Sequence, residues 1–226
     1  SDDYCDERFL EVLVRCFDDE AVLLAYAKST FVDRNEVRIR DNFHSYLSDL
    51  ECASKWNASY VDTAHNEVRR ALGIKNTIPN ASGVLFKCPI DMPLLDDESW
   101  LSMVVAGDWV FYLQIIRGGK IAFNTGTTNF FRRYEGSAAQ ITYKKEVFYR
   151  EVGMANRTVA ALYNVPLAVL EQSRRTYRTV YENKVGGSDE EFALWYDYES
   201  ILNARKRRLP DVMVSTMGFF PGGAEI

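Results

Sequence analysis

The sequence predicts an α/β fold, a mixed sheet flanked by helices and followed by a helical extension. Three observations point there. Up to about Arg133 short apolar strands alternate with helical patterns, and from about Thr142 the periodicity is helical throughout. Hydrophobic residues make up 47% of the 226 residues and charged residues 26%, a balance that suits a packed core and argues against disorder.

The elements follow in order. Phe9, Leu10, Leu13, Val14 and Phe17 mark a helix from near Asp6 to Phe17, and Ala21-Val22-Leu23-Leu24-Ala25-Tyr26 is an apolar run of strand length. The charged stretch from Asp33 to Arg40 reads as hairpin-like. An amphipathic helix is expected from about Asp62, with Val61, Ala64, Val68 and Leu72 on one face and Gly73 closing it. Gly83-Val84-Leu85-Phe86-Lys87 is a strand. Trp109 to Ile116 is a helix stopped by Gly118-Gly119, and Lys120-Ile121-Ala122-Phe123 is the strand it feeds.

Beyond these, Thr142 to Tyr163 forms one helix, Pro166 sits in the first turn of a second, and Ser188-Asp189-Glu190-Glu191 is a capping box starting a third. Leu162, Leu167, Leu170, Phe192, Leu194, Trp195 and Ile201 are expected to pack between them. A tyrosine stripe, Tyr177, Tyr181, Tyr196 and Tyr198, suits packing and could also meet sugar faces. The third helix ends in Arg205-Lys206-Arg207-Arg208 before Pro210, where cations offset the helix dipole on a solvated face or meet acidic lipid.

Composition excludes several classes. With a net charge of −5, nothing recommends nucleic acid as a partner. Cys5, Cys16, Cys52 and Cys88 show no CxxC spacing, and with only His44 and His65 available there is no zinc pattern. Reduced thiols in a cytoplasmic protein are the expectation. No apolar run approaches membrane-spanning length, and Ser1 opens no signal peptide.

Four segments carry candidate chemistry. Ser1-Asp2-Asp3-Tyr4 offers paired carboxylates, which either hold Mg²⁺ or Mn²⁺ beside a phosphate or cap the helix that follows. Asn76-Thr77-Ile78-Pro79-Asn80-Ala81-Ser82-Gly83 is a polar turn entering a strand, and reads as a substrate-facing loop or an ordinary one. Asp108, after Ala106-Gly107, either caps the helix beginning at Trp109 or presents a carboxylate at its mouth as a general base. Arg132-Arg133 suits pyrophosphate oxygens or surface ion pairs.

In this order and spacing the segments resemble the C-terminal part of a family 2 glycosyltransferase of the GT-A fold. The match runs through Ser-Asp-Asp-Tyr at 1–4, Leu-Ala-Tyr-Ala-Lys-Ser at 24–29, Asn-Thr-Ile-Pro-Asn-Ala-Ser at 76–82, Ala-Gly-Asp-Trp at 106–109 and Phe-Arg-Arg-Tyr-Glu-Gly-Ser at 131–137. The fold it implies is an incomplete GT-A domain over residues 1–140, followed by a helical extension at 141–209. A second similarity concerns 210–226, where a strand from Asp211 runs into Pro221-Gly222-Gly223-Ala224-Glu225 and looks like the opening of a family 4, GT-B glycosyltransferase.

The resemblance implies an inverting, metal-dependent transfer of a sugar from a nucleotide-diphospho-sugar to an acceptor hydroxyl. Asp3, helped by Asp2, matches the ligands of Mg²⁺ or Mn²⁺, and Asp2 also matches a contact to the donor. Asp108 matches the base that takes the acceptor proton, and Arg132 and Arg133 lie near the diphosphate; Tyr134 stands where many relatives carry His. A glycan or lipid-linked acceptor, a cytoplasmic location at the inner face of a membrane, and a role in bacterial polysaccharide synthesis belong to the same implication. So do flanking domains in cis, including the nucleotide-binding βα units that precede the Asp pair in the family. A chain without those units is expected to expose apolar edge or face and to bind no nucleotide-sugar tightly. Two rival classes stand beside it: a noncatalytic GT-A-like scaffold, and a nucleotidyltransferase, which also uses paired carboxylates and a cation.

Overall fold

The computed structural model describes residues 3–40, 42–133 and 142–207. Asp2, Tyr134, Arg208 and the segment 210–226 lie outside the described residues. In chain order the strands are β1 (Tyr4–Cys5), β2 (Val22–Val32), β3 (Arg38–Arg40), β4 (Tyr60–Thr63), β5 (Val84–Phe86) and β6 (Lys120–Arg132). The α-helices are α1 (Phe9–Val14), α2 (His44–Leu47), α3 (Ala64–Glu67), α4 (Glu98–Leu101), α5 (Gly107–Ile115), α6 (Glu146–Leu162), α7 (Leu167–Lys184), α8 (Asp189–Trp195) and α9 (Tyr198–Arg207).

The fold is α/β, and two long parallel strands carry its mixed sheet. β2 and β6 run side by side from Val22 and Lys120 to Val32 and Arg132. Each has two shorter antiparallel partners on its other edge: β4 and β1 along β6, β5 and β3 along β2. Both long strands outrun the apolar runs that mark them in the sequence. Ala27 pairs with Asn124 and the next residue, Lys28, with Thr128, so 125–127 leave the ladder as a bulge. Two of its donors have side-chain acceptors, Gly126 N–H in Asn124 Oδ1 at 2.7 Å and Thr125 N–H in Ser59 Oγ at 2.9 Å. Asp33 shapes the expected hairpin between β2 and β3, its Oδ1 accepting from the backbone of Asn35 and Val37.

Nearly every residue of β2 is buried, as befits a central strand covered on both faces. Leu24 and Tyr26 belong to the main core, while Ala25 and Ala27 belong to a smaller one under α1. Those alanines let Phe9 and Leu13 settle against the sheet, leaving Leu10 and Val14 of α1 exposed. The main core is continuous from β2 through α5 and α6 to α7, α8 and α9, with Trp109, Leu113, Val152, Leu170, Phe192 and Ile201 all in it. The boundary expected near residue 140 falls among residues that are not described.

Glycine enforces the return from α5 into β6. Gly118 has φ +82°, and a Cβ on Gly119 would lie 2.5 Å from the Leu23 side chain and 2.7 Å from the Ala21 carbonyl oxygen. Gly73 closes its helix as expected, but that helix starts two residues late. Val61 and Asp62 belong to β4, where Val61 pairs with Ala122 and its side chain is exposed. Thr63 then caps α3, accepting from Asn66 N–H at 3.2 Å, and α3 runs on as a π-helical turn over Val68–Leu72.

The expected third C-terminal helix is two. Its capping box is present, Ser188 Oγ accepting from Glu191 N–H and Glu191 Oε2 from Ser188 N–H. At Tyr196 the backbone turns extended, and Asp197 Oδ1 takes the Ser200 N–H to start α9. The break buries Tyr196 so that its hydroxyl reaches Asn156 Oδ1 at 2.6 Å. Leu167 and Leu194, expected in the interhelical packing, are instead exposed. The tyrosine stripe packs: Tyr177, Tyr181 and Tyr196 are buried and Tyr198 lies against the core. Among the described residues no helix is long and apolar enough to cross a membrane, and all four cysteines are free thiols.

Candidate active site

One loop joins the two carboxylates singled out in the sequence. From residues 76–82, Asn80 Nδ2 donates to Asp3 Oδ2 at 3.0 Å and Ser82 Oγ to the same oxygen at 2.7 Å. At the loop's other end, the Asn76 side chain lies by Asp108 and favours its charged form, while its Oδ1 accepts from Ile78 N–H. Antiparallel pairing of Tyr4 with Phe130 brings the start of β1 beside the end of β6, where Asp3 Oδ1 accepts the Arg132 N–H at 2.9 Å. Asp3 therefore does not serve as the helix cap considered above. The local side-chain contact at the entry to α1 comes from Asp6, which accepts from Arg8 N–H.

Asp108 stands in the first turn of α5, partly buried, with Oδ1 accepting from Trp109 N–H at 2.7 Å. The cap position is Ala106, and the loop donors before it are taken by Glu151 of α6, not by Asp108. Burial pushes the Asp108 carboxyl up to about 6, the hydrogen bonds from Trp109 and Asn76 opposing it. A carboxylate with a proton affinity near neutrality at a helix mouth can accept a proton from a bound hydroxyl.

Asp108 lines a cavity of about 1210 Å³ that also receives Arg132, Arg133, Lys75 and Arg175. Two of these four cations, Arg132 and Lys75, are held by hydrogen bonds and ion pairs within the protein. Arg132 Nη1 donates to the carbonyls of Asp33 and Arg34, and Nη2 pairs with Glu36, so its guanidinium clamps the β2–β3 turn. Lys75 Nζ, whose pKa burial lowers, is held by Asp49 Oδ1 at 2.5 Å and the Tyr46 carbonyl at 2.8 Å. The Arg133 guanidinium lies over the Phe31 ring, 5.7 Å from its centroid, with no ion pair among the described residues. It is the better placed of the two arginines to meet an anion in the cavity.

A smaller cavity of about 350 Å³ adjoins it, sharing Phe43 and Pro79 and lined also by His44, Trp56 and Thr77. The Thr77 hydroxyl is buried without a hydrogen-bond partner among the described residues.

The described residues do not by themselves make an oxygen shell for Mg²⁺ or Mn²⁺. Asp3 uses both oxygens for three hydrogen bonds, Asp2 is not described, and no group of three His, Cys, Asp or Glu gathers among the described residues.

Glu151 is the site residue that sequence reading missed. In sequence it is one glutamate on a long amphipathic helix, with nothing to separate it from solvent-facing neighbours; its burial would be legible only from its place on that helix's apolar face. Compared with known proteins, the chain matches no protein-family model and no curated protein sequence.

Proposed function

We propose that the protein is a glycosyltransferase that moves a sugar from a nucleotide-diphospho-sugar to an acceptor hydroxyl, with Asp108 as general base. The observation that carries this reading is Asp108 itself, a carboxyl raised to about 6 at the wall of a 1210 Å³ cavity that also receives Arg133. A base of that affinity is ionised at neutral pH yet still takes a proton, and the cavity has room for a sugar beside an acceptor. In the inverting direction that the sequence resemblance implies, Asp108 accepts the hydroxyl proton as the acceptor oxygen attacks the sugar carbon. Arg133 faces the departing diphosphate, while Arg132 holds the β2–β3 turn beside it. Asp3 ties the end of β6 to the 76–82 loop, and that loop hands Asn76 to Asp108.

The test is nucleotide release from a panel of UDP- and GDP-sugars with glycan acceptors, using the full-length gene product with Asp108 and with Asp108→Asn. Transfer that falls about 10²–10⁴-fold in the variant, the usual worth of a positioned base, supports the proposal. Unchanged transfer in Asp108→Asn would overturn the role of the base. Pyrophosphate release from a nucleoside triphosphate would move the chain to the nucleotidyltransferases.

A further inference from the structure

Glu151 sits on α6, 4% exposed, and spends both carboxylate oxygens on the backbone of a segment far from it in sequence. Oε1 accepts from Val104 N–H at 2.8 Å, and Oε2 from Val105 N–H at 2.7 Å and Ala106 N–H at 2.8 Å. Three successive N–H groups aimed at one anion form a concave donor cradle, and charge-assisted bonds of this kind are stronger than neutral ones. The cradle is the last stretch of loop before α5, whose cap residue Ala106 offers no side-chain acceptor. Glu151 thus holds the loop that enters α5, not the N–H groups of its first turn, and its charge complements the positive end of the helix. On the loop's other side Trp100 Nε1 donates to the Gly107 carbonyl at 2.8 Å.

We infer that Glu151 is the positioning residue for Asp108, holding the 104–106 loop so that the first turn of α5 presents the Asp108 carboxylate to the cavity. The inference rests on the reading of Asp108 as a base for its catalytic consequence, but not for its geometry. Among the described residues the Asp108 carboxylate accepts from the adjacent Trp109 N–H, a bond within the helix that does not fix where the helix starts. If the cradle loosens, the loop entering α5 loses an anchor that ends two residues before the base.

Glu151 also acts through space, its negative charge adding to the burial that keeps Asp108 protonated to higher pH. The other groups around Asp108 are Tyr112 on α5 and Tyr46 on α2, both of which feel its charge. Tyr177 and Arg175 on α7, with Lys75, Arg132, Arg133 and the acidic Asp49 and Glu51, line the same cavity. Desolvation is the largest cause of the rise at Asp108, and the Glu151 charge adds to it in the same direction.

Glu151→Gln and Glu151→Asp in the full-length gene product test the inference by three readouts. The first is the carbon-13 titration of the Asp108 carboxyl, the second hydrogen exchange at the amides of 104–106, the third kcat, KM and pH profile of transfer. Gln keeps the volume but loses the charge and at least one acceptor. It should speed exchange at the three amides about tenfold or more, lower the Asp108 midpoint, and carry the acid limb of kcat to lower pH. Its kcat should fall about tenfold or more with little change in donor KM. Asp keeps the charge on a shorter arm, so the Asp108 midpoint should stay near the wild-type value while kcat still falls; it carries the test if Gln does not fold.

Unmoved exchange and an unmoved Asp108 midpoint in the folded Gln variant would overturn the inference whatever the activity. A kcat that falls only with the folded fraction, its pH profile unshifted, would also overturn it. If exchange and midpoint move as stated while the wild-type protein transfers no sugar, the positioning stands and the glycosyltransferase reading alone has failed.

Discussion

Asn80 donates through Nδ2 to Asp3 Oδ2 at 3.0 Å across 77 residues of sequence, and this bond couples the start of β1 to the loop that serves Asp108. Asp3 is also the acceptor for Ser82 Oγ and Arg132 N–H, so its removal takes an acceptor from three donors on two segments, the 76–82 loop and β6. Asp3→Ala should cost roughly 2–3 kcal/mol and Asn80→Ala about 1 kcal/mol in urea unfolding. The double variant should cost less than the sum, because the two groups share a bond. Strict additivity would show that the contact contributes nothing to stability.

Asp108 should leave a signature in the pH dependence of stability. Its folded value of about 6 lies above its ordinary 3.8, so folding favours the protonated form. The stabilising contribution is fully present below about pH 4 and is lost as pH rises through about 6. Asp108→Asn removes this loss. Relative to wild type it should gain on the order of 1–2 kcal/mol between pH 4 and pH 8, with screening by solvent holding it below the full linkage value. A difference that stays flat across that range contradicts the burial argument.

Gly119→Ala puts a methyl carbon into the space of Leu23 and the Ala21 carbonyl, backbone that cannot move without disturbing the β2–β6 ladder. A loss of roughly 2–3 kcal/mol is expected in denaturant unfolding, from overpacking and strain. Gly118→Ala has open space around it and pays only for its positive φ, about 1 kcal/mol. The ordering of the two is the test, since a purely conformational cost would make Gly118 the more sensitive position.

Asn156 is fully buried between α6, α7 and the break after α8. Its Oδ1 accepts from Tyr196 OH at 2.6 Å and lies 2.9 Å from Ser173 Oγ, which also reaches the Ile74 carbonyl at 2.6 Å. Asn156→Ala leaves the Tyr196 hydroxyl without its acceptor and opens a small cavity, so thermal unfolding should report a loss of about 2–4 kcal/mol. Tyr196→Phe removes the donor together with its need and should cost less. The reverse order would contradict this account of the network.

Much of the architecture was legible because it is governed by neighbours in sequence. Strand cores such as Leu24 to Tyr26, the Gly118-Gly119 stop, the Gly73 closure and the Ser188 to Glu191 capping box all follow from periodicity and backbone sterics. Legibility failed where a distant partner outvoted the local pattern. The Val61 to Leu72 pattern fits one helix face, yet Val61 has a ladder partner in Ala122 and joins the sheet. Leu194 fits a buried helical stripe, yet the Tyr196 hydroxyl finds Asn156 and the helix breaks there.

The candidate site divides the same way. Residue types alone determined that Asp3, Asp108, Arg132, Arg133 and the 76–82 loop were the places to look, since carboxylates, guanidiniums and a polar turn are the groups able to do polar chemistry. Only the tertiary structure decided what each one does. It committed Arg132 to the β2–β3 turn, left Arg133 facing the cavity, made Asp3 an acceptor for Arg132 N–H 129 residues away, and gave the α5 cradle to Glu151. The reason is physical: a buried polar group is worth what its partner makes it, and these partners are brought together by the fold, not by proximity along the chain.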